Sequence, residues 1–254
     1  PIRPPLPLLA GVLLETVPGV ITLSSFDYEV SARVEARAEV ADDGRALVSG
    51  RLLADIARSL PDRPVELAAE GAKVVLTCGS ARFTLMTLPV DDYPALPTMP
   101  SASGSISGDL LAAAVGQVAV AAGRDDTLPV LTGVRVEIEG ETVTLAATDR
   151  YRLAVRELTW KPEQGGLSAV ALVPARTLAE TAKALASSGD VTIALAAAGG
   201  VGEGLMGFEG GGRQTTTRLL EGEFPKYRSL LPNESATVAI TAKVKKDIFV
   251  EPTL

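Results

Sequence analysis

Two halves of this chain repeat each other in the same order, and this repeat limits the possible folds more than any other feature. The first two matches share an offset of 122 residues (128 − 6 and 149 − 27), and later matches drift to 125 and 131 (176 − 51 and 224 − 93). The matching segments are residues 6–12 with 128–134, 21–27 with 143–149, 46–51 with 171–176, and 93–94 with 224–225. Small drifts are typical of loop insertions, so the sequence predicts two tandem copies of one domain fold.

Composition excludes several kinds of chemistry. The 254 residues suit two domains, and a hydrophobic content of 46% is typical of a globular chain. Histidine is absent, which removes histidine general bases and histidine metal ligands. Cys78 is the single cysteine, so no internal disulfide forms and a reducing cytoplasm is expected. No apolar run approaches the roughly 20 residues of a membrane span. We therefore expect no metal, no cofactor and no membrane partner.

The net charge of −7 argues against a broad DNA-binding surface. Phosphate contacts require dense lysine and arginine, and an acidic protein repels DNA at long range. A soluble, acidic cytoplasmic protein is the simplest interpretation of this charge.

Alternating apolar and polar residues predict a strand-rich chain with glycine turns and three helices. Ser49 and Pro61 bound the first helix, at about 50–60. The second, at about 108–122 with Ser107 as N-cap, is small and apolar and is expected to be buried on a sheet. The third begins at Pro174 and runs over about 175–187. The predicted strands are 19–30, 31–40, 65–68, 73–77, 82–88, 133–138, 142–147, 151–158, 168–173, 191–195 and 214–220.

The first and third helices are repeat equivalents and carry the same charge pattern. Arg51, Asp55 and Arg58 are spaced i, i+4, i+7, and so are Arg176, Glu180 and Lys183. Each set lies on one helical face, opposite apolar residues. The pattern fits either a solvated face with an internal salt bridge or a mildly basic face for a polyanion. The apolar sets are Leu52, Leu53, Ile56 and Leu60, and Leu178, Thr181, Ala182 and Leu185.

Candidate catalytic groups are few. Asp91-Asp92 and Asp125-Asp126 lie in turns, where aspartate is common, and no lysine or histidine accompanies them at a motif spacing. Residues 199–212 predict a flexible hairpin, because they lack the GxGxxG order and no helix follows. We predict no catalytic residues.

Motifs in the second repeat resemble those of a known family. Residues 148–155 (TDRYRLAV) resemble the T-D-x-[HFY]-R-L-A signature in the middle domain of bacterial DNA polymerase III β sliding clamps. Residues 123–133 resemble the start of that domain in its actinobacterial form, and residues 223–228 resemble the element at its end. In the first repeat, residues 80–85 and 92–97 resemble pieces of domain 1. The resemblance covers about residues 4–239.

The resemblance implies an α+β chain of tandem clamp-fold domains, with antiparallel sheets outside and helices lining a ring. The implied domains are 1–101 (domain 1, incomplete at its N-terminus), 102–233 (domain 2) and 234–254 (the start of domain 3 or a divergent tail). Such rings encircle duplex DNA topologically, without sequence specificity, which suits an acidic protein. Full-length family members form homodimer rings, in which domain 1 meets domain 3 of the next subunit. A chain without a complete domain 3 is not expected to close a ring by itself.

Site residues are carried over by the same resemblance. A pocket that binds short peptides of the replicative polymerase, the clamp loader and repair proteins would use Leu131, Thr148, Arg150, Tyr151, Arg152, Leu153, Pro225, Ser229 and Leu230. Arg150 stands where many relatives have Gly, and Ser229 where some have Arg. The DNA-facing side chains would be Arg51, Arg58, Arg176 and Lys183. The subunit interface would include Ile56, Arg82, Phe83 and Leu85, because an edge strand requires cover.

Two rival interpretations stay open. One is a stand-alone clamp relative that binds peptides without encircling DNA. The other is an enzyme that uses the aspartate-rich turns and the glycine loop, and metal-dependent turnover would distinguish it.

Overall fold

A computed structural model of the chain describes residues 6–196 and 202–231. Its contacts divide the chain into two units, residues 1–224 and 225–254. All strands and α-helices below belong to the first unit. In the second unit the described residues form one 3-10 helix, Tyr227–Leu230. The expected start of domain 3, at 234–254, lies outside the described residues.

Sixteen strands and three α-helices are described in the first unit. The strands are β1 (Gly11–Val17), β2 (Val20–Phe26), β3 (Val30–Arg37), β4 (Gly44–Ser49), β5 (Glu66–Glu70), β6 (Lys73–Cys78), β7 (Ala81–Leu88), β8 (Ala102–Ser107), β9 (Gly133–Glu139), β10 (Thr142–Thr148), β11 (Leu153–Thr159), β12 (Lys161–Pro162), β13 (Ser168–Pro174), β14 (Asp190–Leu195), β15 (Leu205–Gly210) and β16 (Arg213–Arg218). The helices are α1 (Gly50–Ser59), α2 (Gly108–Ala119) and α3 (Ala175–Leu185).

The predicted repeat is present element by element. The order β1-β2-β3-β4-α1-β5-β6-β7 recurs as β9-β10-β11-β13-α3-β14-β15-β16. Each copy follows a 3-10 turn, Pro7–Ala10 or Pro129–Thr132, at the offset of 122 residues seen in the sequence. The prediction of an α+β chain built from two copies of one fold is confirmed.

One continuous sheet runs through both repeats. Its twelve strands have the order β12-β8-β14-β15-β16-β3-β2-β1-β4-β7-β6-β5, and a second sheet has the order β11-β10-β9-β13. The repeats meet where β16 pairs antiparallel with β3, in a register that sets Thr216 opposite Ser31. The two hydroxyls lie 2.6 Å apart, at 3% and 5% exposure. A buried hydroxyl pair therefore spans the junction between the repeats.

The helix ends follow their sequence signals with one correction. Ser49 caps α1, because its Oγ accepts a hydrogen bond from the Leu52 N–H at 3.4 Å, and α1 ends before Pro61. Ser107 occupies the N-cap of α2 but makes no side-chain cap. Its hydroxyl donates to the Asp109 carboxylate instead. Pro174 is the N-cap residue of α3, just before its first turn.

The burial of the helices differs from expectation in two places. The second helix was expected to be buried, but α2 packs one face against α3 and the strands, and it exposes Leu110 and, at its C-cap, Val120. In α1 only Ile56 is buried, and Leu52 is 44% exposed. The apolar face of α3 is buried as expected, at Leu178, Thr181, Ala182 and Leu185. Apolar composition predicts that a helix packs, but it does not tell how much of the helix surface is covered.

Several strands carry no clear sequence signal. No strand was expected at β1, β4, β8 or β12, and the expected flexible hairpin at 199–212 contains β15. Gly207 lies inside β15. A larger residue would not fit there, because a Cβ at this position would come within 2.9 Å of the Met99 Cγ. The glycine that obscured this strand in the sequence therefore makes room for a packed side chain.

Candidate functional site

A rigid turn between β10 and β11 forms one lip of the candidate site. The Asp149 Oδ1 accepts hydrogen bonds from the N–H groups of Tyr151 (3.1 Å) and Arg152 (3.0 Å). Thr148 lies beneath the turn, where its Oγ1 donates to the Arg152 carbonyl at 2.7 Å and accepts from the Arg150 N–H at 3.2 Å. The threonine and aspartate of the signature motif therefore hold the turn in shape. The next three side chains, those of Arg150, Tyr151 and Arg152, are all exposed.

The pKa of Asp149 reflects these contacts. Desolvation raises the pKa of this carboxyl, but the two backbone N–H groups and the Arg152 guanidinium outweigh it, so the net pKa is below the usual range. The Arg152 Nε lies 2.9 Å from the Asp149 Oδ2. Asp149 is therefore a negatively charged structural anchor at neutral pH.

The second lip precedes β9 and is positioned by the backbone. The Gly123 N–H donates to the Leu131 carbonyl at 2.7 Å. Asp125 folds the following residues into a turn, since its Oδ1 accepts from the Thr127 hydroxyl (2.7 Å) and from the Thr127 N–H (3.0 Å). These bonds, and the positive charge of Arg150, lower the pKa of Asp125.

A cleft of about 530 Å³ lies between the two lips. On one side it is lined by Ala122, Gly123, Arg124, Asp125, Leu128 and Leu131. On the other it is lined by Asp149, Arg150, Tyr151 and Arg152. Tyr151 is 91% exposed, so it forms an open rim. Apolar residues flanked by charged groups suit a short peptide with an apolar anchor.

The structure brings together part of the expected pocket. Leu131, Arg150, Tyr151 and Arg152 line the cleft, whereas Thr148 is buried under the turn and Leu153 begins β11, half-buried. The remaining three residues, Pro225, Ser229 and Leu230, belong to the second unit and are exposed there. The Ser229 Oγ donates to the Lys226 carbonyl at 2.8 Å.

Sequence reasoning missed most of the second lip. Arg124, Asp125 and Leu128 line the cleft but were not predicted to do so. The available signal was the resemblance of residues 123–133 to the start of the clamp's middle domain, from which only Leu131 was taken.

The charged helix faces are exposed and partly self-neutralised. The Asp55 carboxylate lies 2.7 Å from the Arg58 Nη1 and 4.0 Å from the Arg51 Nε. The Arg176 Nε lies 3.0 Å from the Glu180 Oε1. Exposed pairs of this kind contribute about 0–1 kcal/mol each, so all of these side chains can exchange partners at little cost. Lys183 is also exposed.

The expected subunit-interface residues separate into two groups. Ile56 (7% exposed) and Leu85 (1%) pack into the apolar core of the first repeat. Their side chains are covered within this chain, and a role for them at a subunit interface stays a prediction. Arg82 is exposed and Phe83 is half-buried on β7. On one edge β7 pairs with β6 over Ala81–Met86, but on the other edge it pairs with β4 only at Thr87 and Leu88. The rest of that second edge can therefore still pair with a strand of another subunit.

Two kinds of site were not found in the described ranges. Residues 6–196 and 202–231 contain no group of three or more Cys, Asp or Glu side chains placed to hold a metal. No helix in these ranges has the length and apolarity needed to cross a membrane.

Comparisons with known proteins agree with this architecture. Residues 1–97 match the family model of the DNA polymerase III beta subunit N-terminal domain, and residues 105–226 match that of its central domain. A beta sliding clamp of Streptomyces coelicolor is 64% identical over 240 residues, covering 94% of this chain and 64% of the relative. A beta sliding clamp of Micrococcus luteus is 52% identical over 238 residues, covering 94% of this chain and 76% of the relative.

Solved structures show the same similarity. The crystal structure of the DNA polymerase III subunit beta from Pseudomonas aeruginosa has a TM-score of 0.80 and 30% identity, covering 91% of this chain and 62% of that one. This chain belongs to the bacterial DNA polymerase III β subunit family, the β sliding clamps. It spans 64% of the length of the Streptomyces coelicolor relative.

Proposed function

We propose that this chain acts as part of a sliding clamp, a non-catalytic processivity factor that encircles duplex DNA in the bacterial cytoplasm. The observation that carries this proposal is the junction between the repeats. At this junction the last strand of the second repeat, β16, pairs with the third strand of the first repeat, β3. The β16 equivalent of the first repeat is β7, and among the described strands its edge facing away from β6 is paired only at Thr87 and Leu88. The β3 equivalent of the second repeat is β11, which ends its sheet among the described strands.

The open edges of β7 and β11 correspond to the two strands that pair at the junction, and this supports a closed assembly. A row of repeats joined in this way can add a further repeat at either edge, and full closure alone leaves no edge exposed. The same device would give family members their homodimer rings at full length. Encirclement requires no tight ionic contact, which fits a net charge of −7. Exposed Arg51, Arg58, Arg176 and Lys183 would then touch the DNA backbone loosely.

The cleft of the second repeat is the proposed docking site for partners. Short peptides of the replicative polymerase, the clamp loader and repair proteins would place an apolar anchor against Leu128 and Leu131, and the resemblance assigns Leu153 to the same pocket. The resemblance assigns Pro225, Ser229 and Leu230 to the same function, and that assignment stays a prediction. A stand-alone peptide-binding role without encirclement is not favoured, because the relatives from Streptomyces coelicolor and Micrococcus luteus are beta sliding clamps.

An enzymatic role is not favoured. Asp125 and Asp149 have lowered pKa values and accept hydrogen bonds from their own turns. Carboxyls of this kind stay ionised at neutral pH and are poor general acids.

The docking proposal is tested by calorimetric titration of a short peptide from the replicative polymerase of the same organism. Leu153→Ala is expected to lose about 1–3 kcal/mol of binding free energy, roughly tenfold to a hundredfold in affinity. Leu67→Ala, at a partly exposed leucine of β5, is the matched control and should bind like wild type. Thermal melts verify that both variants fold. Equal affinities for Leu153→Ala and wild type would refute the pocket.

A further inference from the structure

We propose that Arg213 is a further DNA-contacting residue, which binds the phosphate backbone of the encircled duplex on the surface between α1 and α3. This inference rests on the proposed sliding-clamp function and adds a contact that the resemblance did not assign. It depends on the face of the sheet on which Arg213 lies, on the surroundings of its guanidinium group, and on the residue that takes its place in the first repeat.

The strand register places Arg213 on the same face of the sheet as both helices. Arg213 pairs with Val34 across the junction between the repeats. Val34 pairs in turn with Leu23, and Leu23 pairs with Leu14, so one row of residues crosses β16, β3, β2 and β1. Residues directly opposite each other in antiparallel strands share a face of the sheet. Since Leu14 and Leu23 pack with Ile56 of α1 in the core of the first repeat, the row runs from beneath α1 to Arg213.

The surface between the two helices is open to solvent. Val34, the neighbour of Arg213 in this row, is apolar and yet 37% exposed. The helix α1 contacts β1 and β4, whereas α3 contacts β15 and β16, so β2 and β3 separate the two helices along the sheet. A DNA strand that passes along both helices would therefore run over Val34 and beside the exposed Arg213.

The guanidinium of Arg213 is held in place without being neutralised. Its Nη1 donates a hydrogen bond to the Ala184 carbonyl at 2.8 Å, in the last turn of α3. The last four carbonyls of an α-helix have no partner inside the helix and give this end a partial negative charge, which would repel a phosphate. Arg213 offsets that charge, and Lys183 adds a second cation to the same turn. In the described ranges the salt bridge on α3 joins Arg176 to Glu180, and neither Arg213 nor Lys183 forms an ion pair.

The first repeat shows that the fold does not require this arginine. In β7, Ala81 takes the place that Arg213 has in β16, since each residue begins its strand and pairs with the last residue of the strand before it. At the end of α1 the Ser59 hydroxyl donates to the Ile56 carbonyl at 2.7 Å, so a neutral group satisfies that helix end. An arginine is therefore not needed to end such a helix. Its charge and its planar fork of N–H donors suit a phosphate group.

The test measures the affinity of wild type, Arg213→Gln and Arg213→Lys for a linear duplex over a series of salt concentrations. Glutamine can still donate a hydrogen bond to the Ala184 carbonyl, but it carries no charge. Arg213→Gln should bind about two- to fivefold more weakly at about 50 mM salt, the size of one exposed ion pair. The slope of log affinity against log salt concentration should decrease by about 1, because one phosphate contact is lost. Arg213→Lys should keep the slope of wild type.

The matched control is Arg37→Gln, which changes the net charge by the same amount. Arg37 is an exposed residue of β3, three positions from Val34, and so lies on the opposite face of the sheet. Its substitution should leave the slope unchanged, and thermal melts verify that every variant folds. A wild-type slope for Arg213→Gln would overturn the contact, and a loss of thermal stability with that slope would assign Arg213 only to capping α3.

The same titrations separate this inference from the proposed function. If Arg213→Gln binds like wild type while charge reversal of the four DNA-facing residues named above abolishes binding, the clamp function stands without a role for Arg213. Absence of binding by wild type even at low salt would refute both the DNA-facing helices and the contact at Arg213.

Discussion

Removing one hydroxyl from the Ser31–Thr216 pair should destabilise the junction between the repeats. The two oxygens lie 2.6 Å apart and are almost fully buried. Ser31→Ala leaves the Thr216 hydroxyl without this partner in a site closed to water, which costs about 1–3 kcal/mol. Thr216→Val should cost a similar amount. Since 1 kcal/mol shifts the melting temperature of a chain this size by about 2–4 °C, a loss of ~2 kcal/mol corresponds to about 4–8 °C.

The double variant gives the decisive comparison. Ser31→Ala with Thr216→Val replaces both polar groups by apolar ones of similar shape, which is nearly neutral when no group is left unsatisfied. Thermal melts of the four proteins should therefore show the double variant close to wild type and well above either single variant. Thr142→Val, at an exposed strand position, is the control and should change stability by less than about 0.5 kcal/mol. Additive losses in the double variant would show that the hydroxyl pair does not couple the repeats.

Two further predictions concern the turn and the second helix. The pKa of Asp149 is lower in the folded protein than the ordinary aspartate value of about 3.9. The ionised carboxylate therefore stabilises the folded protein fully above that ordinary value, and this stabilisation is lost as pH falls through the lower pKa of the folded protein. The difference in melting temperature between wild type and Asp149→Asn should therefore be constant above about pH 5 and decrease below about pH 4, and a constant difference down to pH 3 would contradict this. Gly108→Ala should destabilise, because its Cβ would lie 2.4 Å from the Leu185 carbonyl oxygen. Gly116 lies in the same helix with open space around it, so Gly116→Ala should stabilise the protein by about 0.5–1 kcal/mol in the same melts. Equal effects of the two substitutions would refute the close approach of α2 and α3.

Local signals predicted some elements well. The limits of α1 follow from Ser49 and Pro61, and a cap or a proline acts within a few residues. The turn at Asp149 is equally local, since its hydrogen bonds join residues two and three positions apart, but only the strands on either side of it were predicted from the sequence.

Long-range contacts were not available from the sequence. The pairing of β16 with β3 joins Thr216 to Ser31 across 185 residues, and no local pattern encodes that register. The cleft has the same difficulty, because Arg124 and Arg150 come from separate segments that meet only when the sheet and the two turns are formed. The burial of Ile56 and Leu85 in the core of the first repeat depends on the same long-range packing.

Binding to linear duplex DNA over a range of salt concentrations tests topological encirclement most directly. A protein that relies on encirclement, with few exposed cations and a net charge of −7, should bind linear DNA weakly and lose that binding as salt rises. Replacing Arg51, Arg58, Arg176 and Lys183 by glutamate should weaken the residual binding further. Submicromolar affinity for linear duplex at physiological salt, or no loss of binding in the charge-reversed variant, would contradict the proposed clamp function and its DNA-facing helices.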